Sequence, residues 1–347
     1  MAGYFSQKFR SCRCPCTQMT VLGIETSCDE TAAAICQNRK ILSNTVSQQI
    51  VHVEFGGVVP EIASREHEIL LNTIVHHTLG ESNIHLRELD AISVTQGPGL
   101  AGTLLTGISF AKGLGIGLNI PVIPVNHLEG HIFANFLSDP TLDYPFVCLL
   151  VSGGHTQLWN IKGMEQYELL GETRDDAAGE AFDKGARILG LEYPGGPAIE
   201  REAKGGDPDK IQFPRSLMGE DSLEFSFSGL KTSLLYFMDD FEETASVSLK
   251  DVMASFQQAI VDTLAEKVRR AVKKTGVKRC VIAGGVAANL CLRDRLNTVL
   301  PNKHILFPDL SYCTDNAAMI SYLGELKMQS YSYELLTFSV QPNLKLA

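Results

Sequence analysis

The segment Asn126-His127-Leu128-Glu129-Gly130-His131 sets two imidazoles four residues apart. On a helix that spacing puts them on one face, about 5–6 Å apart, which suits two nitrogen ligands on one ion. Two ordinary surface histidines share the same spacing, so a third ligand is required. Asp315, in Cys313-Thr314-Asp315-Asn316, is the candidate. It stands where the last helix should begin, and an aspartate there also serves as an N-cap. Spacing alone does not choose between cap and ligand. Zinc peptidases pair such histidines with a glutamate beside the first one, or beside the second in the inverted motif. Glu129 lies midway, about 200° around a helix from His127, so it points away from the metal face and that base is missing.

Three glycine-rich turns could present backbone N–H groups to an anion: Gly97-Pro98-Gly99-Leu100-Ala101-Gly102, Val151-Ser152-Gly153-Gly154-His155-Thr156 and Gly284-Gly285-Val286-Ala287-Ala288-Asn289. Each alone is usually no more than a turn. The chain has no G-x4-G-K-[ST] loop and no G-x-G-x-x-G at a strand end. Asp183 and Glu200 flank the rigid bend Pro194-Gly195-Gly196-Pro197, an arrangement that suits sugar hydroxyls. Taken singly, each is more simply a solvated acid on a helix.

Elements that would position these groups alternate along the chain. Short apolar runs at 21–24, 31–36 and 41–46 read as strands, followed by a helix over 60–79. A strand at 91–95, a small-residue helix over 100–118 and a strand at 121–125 come next. The second half opens the same way, with strands at 146–151 and 156–161 around a Ser-Gly-Gly turn. Helices over 180–189, 196–203, 230–238 and 249–274 follow. A strand at 279–283, a helix at 287–300, a strand at 304–307 and a helix at 315–328 complete the pattern. The class is α/β. The repeated opening hairpin predicts two related lobes, one from 19–124 with 306–347 and the other from 125–305.

Composition limits the function classes. The 347 residues carry a net charge of −10, which argues against non-specific nucleic-acid binding. A local basic group remains at Lys267, Arg269, Arg270, Lys273, Lys274, Lys278 and Arg279. Its simpler reading is a helix C-terminus whose cations suit the dipole. No run of about 18 uninterrupted apolar residues exists. Residues 1–18 are basic and acid-free, carry Cys12, Cys14 and Cys16, and lack an apolar stretch of secretory length. They read as a disordered extension or the product of an upstream start codon, with a mitochondrial presequence as the alternative. The six other cysteines are scattered, as reduced thiols in a cytoplasmic protein are.

Taken in order, these segments resemble one family. Gly23-Ile24-Glu25-Thr26-Ser27-Cys28-Asp29-Glu30-Thr31 looks like its opening signature, and Gly57 to Arg65 and Gly97 to Leu100 follow. Asn126 to His131, Val151 to Thr156, Asp183 to Arg187, Pro194 to Pro197, Phe225 to Lys231, Gly284 to Asn289 and Cys313 to Asn316 complete the series. The family is the bacterial-type tRNA N6-adenosine threonylcarbamoyltransferases, and the likeness spans roughly residues 20–325. It implies the two-lobed fold of actin, Hsp70 and sugar kinases (ASKHA), built from duplicated RNase H-like subdomains. It implies one divalent metal, iron or zinc with Fe2+ favoured, on His127, His131 and Asp315. It implies that Leu150, Val151, Ser152, Gly153, Gly154, Asp183, Gly196, Glu200 and Asn289 hold an adenylate.

The activity implied is transfer of threonylcarbamoyl from threonylcarbamoyl-adenylate to N6 of adenosine 37, 3′ of the anticodon, in tRNAs reading ANN codons. In the archaeal and eukaryotic branch a tyrosine ligand precedes the Val-Ser-Gly-Gly turn. Leu150 stands there in this chain, which leaves a fourth metal position to substrate or water. Lys231 or the 267–279 group would meet tRNA phosphates, and no residue is singled out as the base for N6. Implied partners are tRNA, a smaller paralogue and an accessory ATPase. The competing reading is a small-molecule kinase of the same superfold. The histidine pair argues against it, because such kinases need only magnesium held by carboxylates and phosphates. A non-catalytic paralogue would have lost the metal residues.

Overall fold

The computed structural model of the chain describes residues 18–219, 221–242, 246–330 and 336–346. The expected N-terminal extension, with Cys12, Cys14 and Cys16, lies outside the described residues.

The strands are β1 (Thr20–Glu25), β2 (Glu30–Gln37), β3 (Lys40–Gln48), β4 (Ala91–Gly97), β5 (Val122–Asn126), β6 (Phe146–Val151), β7 (Thr156–Gly163), β8 (Gln166–Glu172), β9 (Arg279–Ala283) and β10 (His304–Leu306). The helices are α1 (Pro60–Ser82), α2 (Ala101–Leu118), α3 (His127–Phe133), α4 (Asn135–Ser138), α5 (Ala178–Ile188), α6 (Gly195–Glu202), α7 (Ser228–Asp239), α8 (Leu249–Thr275), α9 (Leu290–Val299), α10 (Leu310–Cys313) and α11 (Ala317–Ser330). The expected elements are all present. β8 is an addition. Its residues are mostly exposed and do not alternate cleanly, so its strand character comes from pairing with β7.

Two compact units divide these elements. The first holds the described residues through Ile50, Val58–Leu137 and Asp315–Leu346. Its sheet runs β3-β2-β1-β4-β5, with β1, β2 and β3 antiparallel and β4 and β5 parallel to β1. Strand alternation sends Leu22 and Ile24 into a core with Leu71, Ile74, Ile92 and Val122, under α1 and α2. Helix α2 is long and apolar enough to cross a membrane by length and composition. Here its Leu104, Ile108 and Ala111 are buried where it packs on β4 and α1. The opposite face of β1 meets α11. A Cβ at Gly23 would lie 2.5 Å from the Ala317 carbonyl oxygen, so the bare glycine permits that close approach.

The second unit holds Val51–Gly57 and Ser138–Thr314. Its sheet runs β10-β9-β6-β7-β8, again an antiparallel meander (β6, β7, β8) joined by two strands parallel to the first. Strand β6, Phe-Val-Cys-Leu-Leu-Val, is buried along its whole length, as a continuous apolar central strand should be. Phe182, Phe225, Phe227, Phe256 and Leu264 pack with it in one core. Helix α8 starts on a capping box between Ser248 and Asp251 and stops at Gly276 in the left-handed conformation.

The grouping differs from the expected boundaries. Residues 125–137 belong to the first unit, because β5 pairs with β4 through Asn126 and α3 packs on α11. Residues 306–314 belong to the second, because β10 pairs with β9 and Cys313 is buried in that core.

Candidate metal and nucleotide sites

Strands β1, β4 and β5 lie side by side and parallel, so their carboxyl ends align. Open α/β sheets place ligands at such ends. Here those ends carry Glu25, Thr95 and Asn126. The Asn126 side chain accepts from the backbone N–H of Leu128 (2.9 Å) and Glu129 (3.3 Å), which starts α3 at His127. Its amide nitrogen donates to the Lys345 carbonyl oxygen at 2.9 Å, tying the C-terminal segment to the same cap.

One turn of α3 then brings the two imidazoles together, with ring centroids 4.7 Å apart. Asp315 Oδ1 lies 3.0 Å from His131 Nε2 and 3.5 Å from His127 Nε2. One ligand atom from each of the three residues falls within 4.8 Å of the others. The question left by spacing is answered by the neighbouring residue. Asn316 accepts from Met319 N at 3.1 Å and caps α11, while Asp315 turns to the histidines. Two imidazole nitrogens and a carboxylate oxygen make a donor set that fits one divalent ion of the zinc or iron type. Glu129 is held by Lys327 at 2.6 Å on α11 and takes no part.

Sequence reading missed a surrounding shell. Glu25 is fully buried and sits 3.2 Å from His127 Nδ1. Burial opposes its charged form, yet the facing imidazole holds the carboxyl below its usual range. Burial likewise opposes a charged His127, but Asp315 and Glu25 outweigh it and raise the imidazole to about 9. Glu30 is pushed well upward by burial and then by Asp315 and Asp29. Burial and the adjoining Asp29 push the Cys28 thiol far up.

The Gly97–Gly102 turn is committed internally. Gly99 N donates to the Pro342 carbonyl and Leu100 N to that of Ser27, so these two N–H groups are already committed.

In the second unit the ends of β6 and β9 carry the other two glycine turns. Gly153 and Gly154 are exposed at the first. At the second, Gly284 adopts φ 91°, and a Cβ there would lie 2.5 Å from the Val151 carbonyl oxygen. Leu150 and Val151 are wholly buried within the ladder and support the turn with no side chain on offer. Asp183 accepts from Gly195 N at 2.8 Å and holds the start of α6, where Gly196 is half-buried. Glu200 accepts from Leu290 N at 2.7 Å. Asn289 caps α9 through Leu292 N (2.9 Å) and donates to Gln257 at 2.9 Å. Glu200 and Asn289 thus meet at the start of α9.

The basic groups are largely tied within the unit. Lys267 is buried and donates to the Leu217 and Ser222 carbonyls. Arg269 and Arg270 grip Glu266, and Lys231 pairs with Asp176 at 3.0 Å. Lys273, Lys274 and Lys278 remain exposed. Asp175 was also missed; it accepts from Ser226, Phe227 N and Ser228, and so anchors the Phe-Ser-Phe-Ser-Gly-Leu-Lys segment.

Comparison with known proteins agrees with the geometry. The family profile of tRNA N6-adenosine threonylcarbamoyltransferases matches residues 40–322. Curated enzymes of that name are similar in sequence over 94% of this chain. The one from Thermosipho africanus is 50% identical and covered over its full length, and the one from Salinibacter ruber is 49% identical and also fully covered. Among solved structures, the HypF protein of T. kodakarensis superposes with a TM-score of 0.62 at 17% identity, over 90% of this chain and 48% of its own. Component A of the (R)-2-hydroxyglutaryl-CoA dehydratase of Acidaminococcus fermentans gives 0.56 at 14% identity, over 90% and 99%. These two likenesses speak to fold alone. The fold is the ASKHA architecture that the family resemblance implies.

Proposed function

The chain belongs to the tRNA N6-adenosine threonylcarbamoyltransferase family, and from that membership we propose how its residues divide the work. The enzyme is an acyltransferase that forms t6A. The exocyclic N6 of adenosine 37, 3′ of the anticodon in tRNAs reading ANN codons, attacks the carbamoyl carbon of threonylcarbamoyl-adenylate. A C–N bond forms, the bond from that carbon to the phosphate oxygen breaks, N6 gives up a proton and AMP leaves.

His127, His131 and Asp315 hold one divalent ion, Fe2+ by family resemblance with zinc as the alternative. When bound, that ion supplies a positive charge able to polarise an oxygen next to the reacting carbon. The exposed Gly153 and Gly154 of the Ser152-Gly153-Gly154 turn meet phosphate through backbone N–H groups. Asp183 and Glu200, each accepting from a helix N-terminus, face ribose hydroxyls. Gly196 and Asn289 border the same ligand, and Leu150 and Val151 set the turn from within the sheet. The exposed Lys273, Lys274 and Lys278 meet tRNA phosphates. A smaller paralogous partner and an accessory ATPase complete the system, and the site of action is the cytoplasm.

The observation that carries this reading is the convergence of His127, His131 and Asp315 from two separated segments onto one point. A peptidase lacks its base, since Glu129 is paired with Lys327. The test is mass spectrometry of tRNA nucleosides after incubation with threonine, bicarbonate, ATP and the accessory proteins. t6A is expected with the native chain, and its absence under complete conditions overturns the assignment. Elemental analysis of anaerobically purified protein identifies the ion.

A further inference from the structure

We propose that Glu25 is the positioning residue of the metal site: its carboxylate holds the proton of His127 on Nδ1, which leaves Nε2 as the nitrogen that binds the ion. This rests on the reading of His127, His131 and Asp315 as metal ligands.

The geometry is directional. Glu25 Oε2 lies 3.2 Å from His127 Nδ1, and the Ser27 hydroxyl is also 3.2 Å from that nitrogen. The opposite ring nitrogen, Nε2, is the one that faces Asp315. A neutral imidazole carries one proton, so a carboxylate acceptor at Nδ1 selects the tautomer with an open lone pair at Nε2. Glu25 is itself held in place. It accepts from Ser27 N at 2.5 Å and from the Thr95 hydroxyl at 2.5 Å. A fully buried carboxylate costs several kcal/mol unless it is paired and hydrogen-bonded. Glu25 meets both conditions, and its charged partner among the described residues is the His127 ring. His131 offers a contrast, since its buried Nδ1 has no hydrogen-bond partner. The two histidines are therefore not equivalent: His127 is held from behind by Glu25 and Ser27, whereas His131 meets Asp315 through Nε2 and has no such partner at Nδ1. Carboxylates behind metal-bound histidines typically change metal affinity by roughly 10–100-fold when removed.

The test uses the full chain loaded with zinc, a diamagnetic probe. Competition against a chelator gives affinity for the native protein, Glu25→Gln and Asp315→Asn. Long-range 15N correlation spectra of the histidine rings report which nitrogen of His127 bears the proton. Expected results are an Nδ1 proton with Nε2 bound to zinc in the native protein. Glu25→Gln should bind roughly 10–100-fold more weakly while its far-UV circular dichroism is unchanged, because the amide cannot accept from all three donors at once. Unaltered affinity in folded Glu25→Gln overturns the proposal. If that variant fails to fold, the native spectrum decides: coordination of His127 through Nδ1 overturns it. Native protein that takes up no zinc or iron overturns the metal reading itself, whereas Asp315→Asn losing zinc while Glu25→Gln keeps it removes only the role of Glu25.

Discussion

The two units repeat one sheet plan and put opposite chemistry at the same place. Each has a three-stranded antiparallel meander whose first strand is joined by two parallel strands. In the first unit the carboxyl ends of the parallel strands carry Glu25, Thr95 and the histidine helix, and burial, Asp315 and Asp29 push the nearby Glu30 carboxyl upward. Lone pairs dominate, which is what a cation takes. In the second unit the corresponding ends of β6 and β9 carry glycine turns, and Asp183, Glu200 and Asn289 secure the starts of α6 and α9. Glycine turns of this kind present backbone N–H groups, which suit an anion. A repeated sheet plan thus supplies the same strand ends twice, with different groups at each.

The most forceful way to break this comparison is to delete the imidazoles. His127→Ala combined with His131→Ala is expected to abolish metal uptake and t6A formation while AMP binding, measured by calorimetry, is retained. Loss of AMP binding as well would mean that the two chemistries are not separable. A substitution in the other unit should do the reverse. Gly284→Ala sets a Cβ against the Val151 carbonyl at a left-handed φ, with an expected destabilisation of about 2–4 kcal/mol in urea unfolding. Metal stoichiometry of the folded fraction should not change.

Smaller effects sharpen the contrast. Asn126→Ala removes the cap of α3 and its link to Lys345, and should cost about 1 kcal/mol with a measurable fall in zinc affinity. Asn289→Ala removes the analogous cap of α9; it should cost a similar amount without touching zinc affinity. The smallest effect is electrostatic. The Arg269 and Arg270 guanidinium groups outweigh partial burial and lower the Glu266 carboxyl from 4.5 to about 2. A lowered acid stabilises the fold above its ordinary value and loses that contribution as pH falls through about 2. Acid unfolding of Glu266→Gln should therefore lack a shallow slope that the native protein shows between those limits, worth less than ~1 kcal/mol after solvent screening.

Much of this was readable from the linear chain. Period-2 and period-3.6 apolar patterns located nearly every strand and helix, because each buries a face that only apolar residues can occupy at that spacing. The histidine pair was equally visible, since its four-residue spacing lies within one helix turn. β8 was not, because a mostly exposed strand at a sheet edge keeps no clean pattern and depends on its neighbour. The grouping of residues differs from the expected boundaries for a similar reason: where α3 and α10 belong depends on which helix or core they pack against. Local order follows from local composition, but convergence does not. That Asp315 meets the histidines, that Glu25 lies behind His127, and that Lys267 is buried under carbonyls are outcomes of contacts between segments 45 to 188 residues apart. Spacing along the chain carries no information about such distances until the sheets and helices have packed.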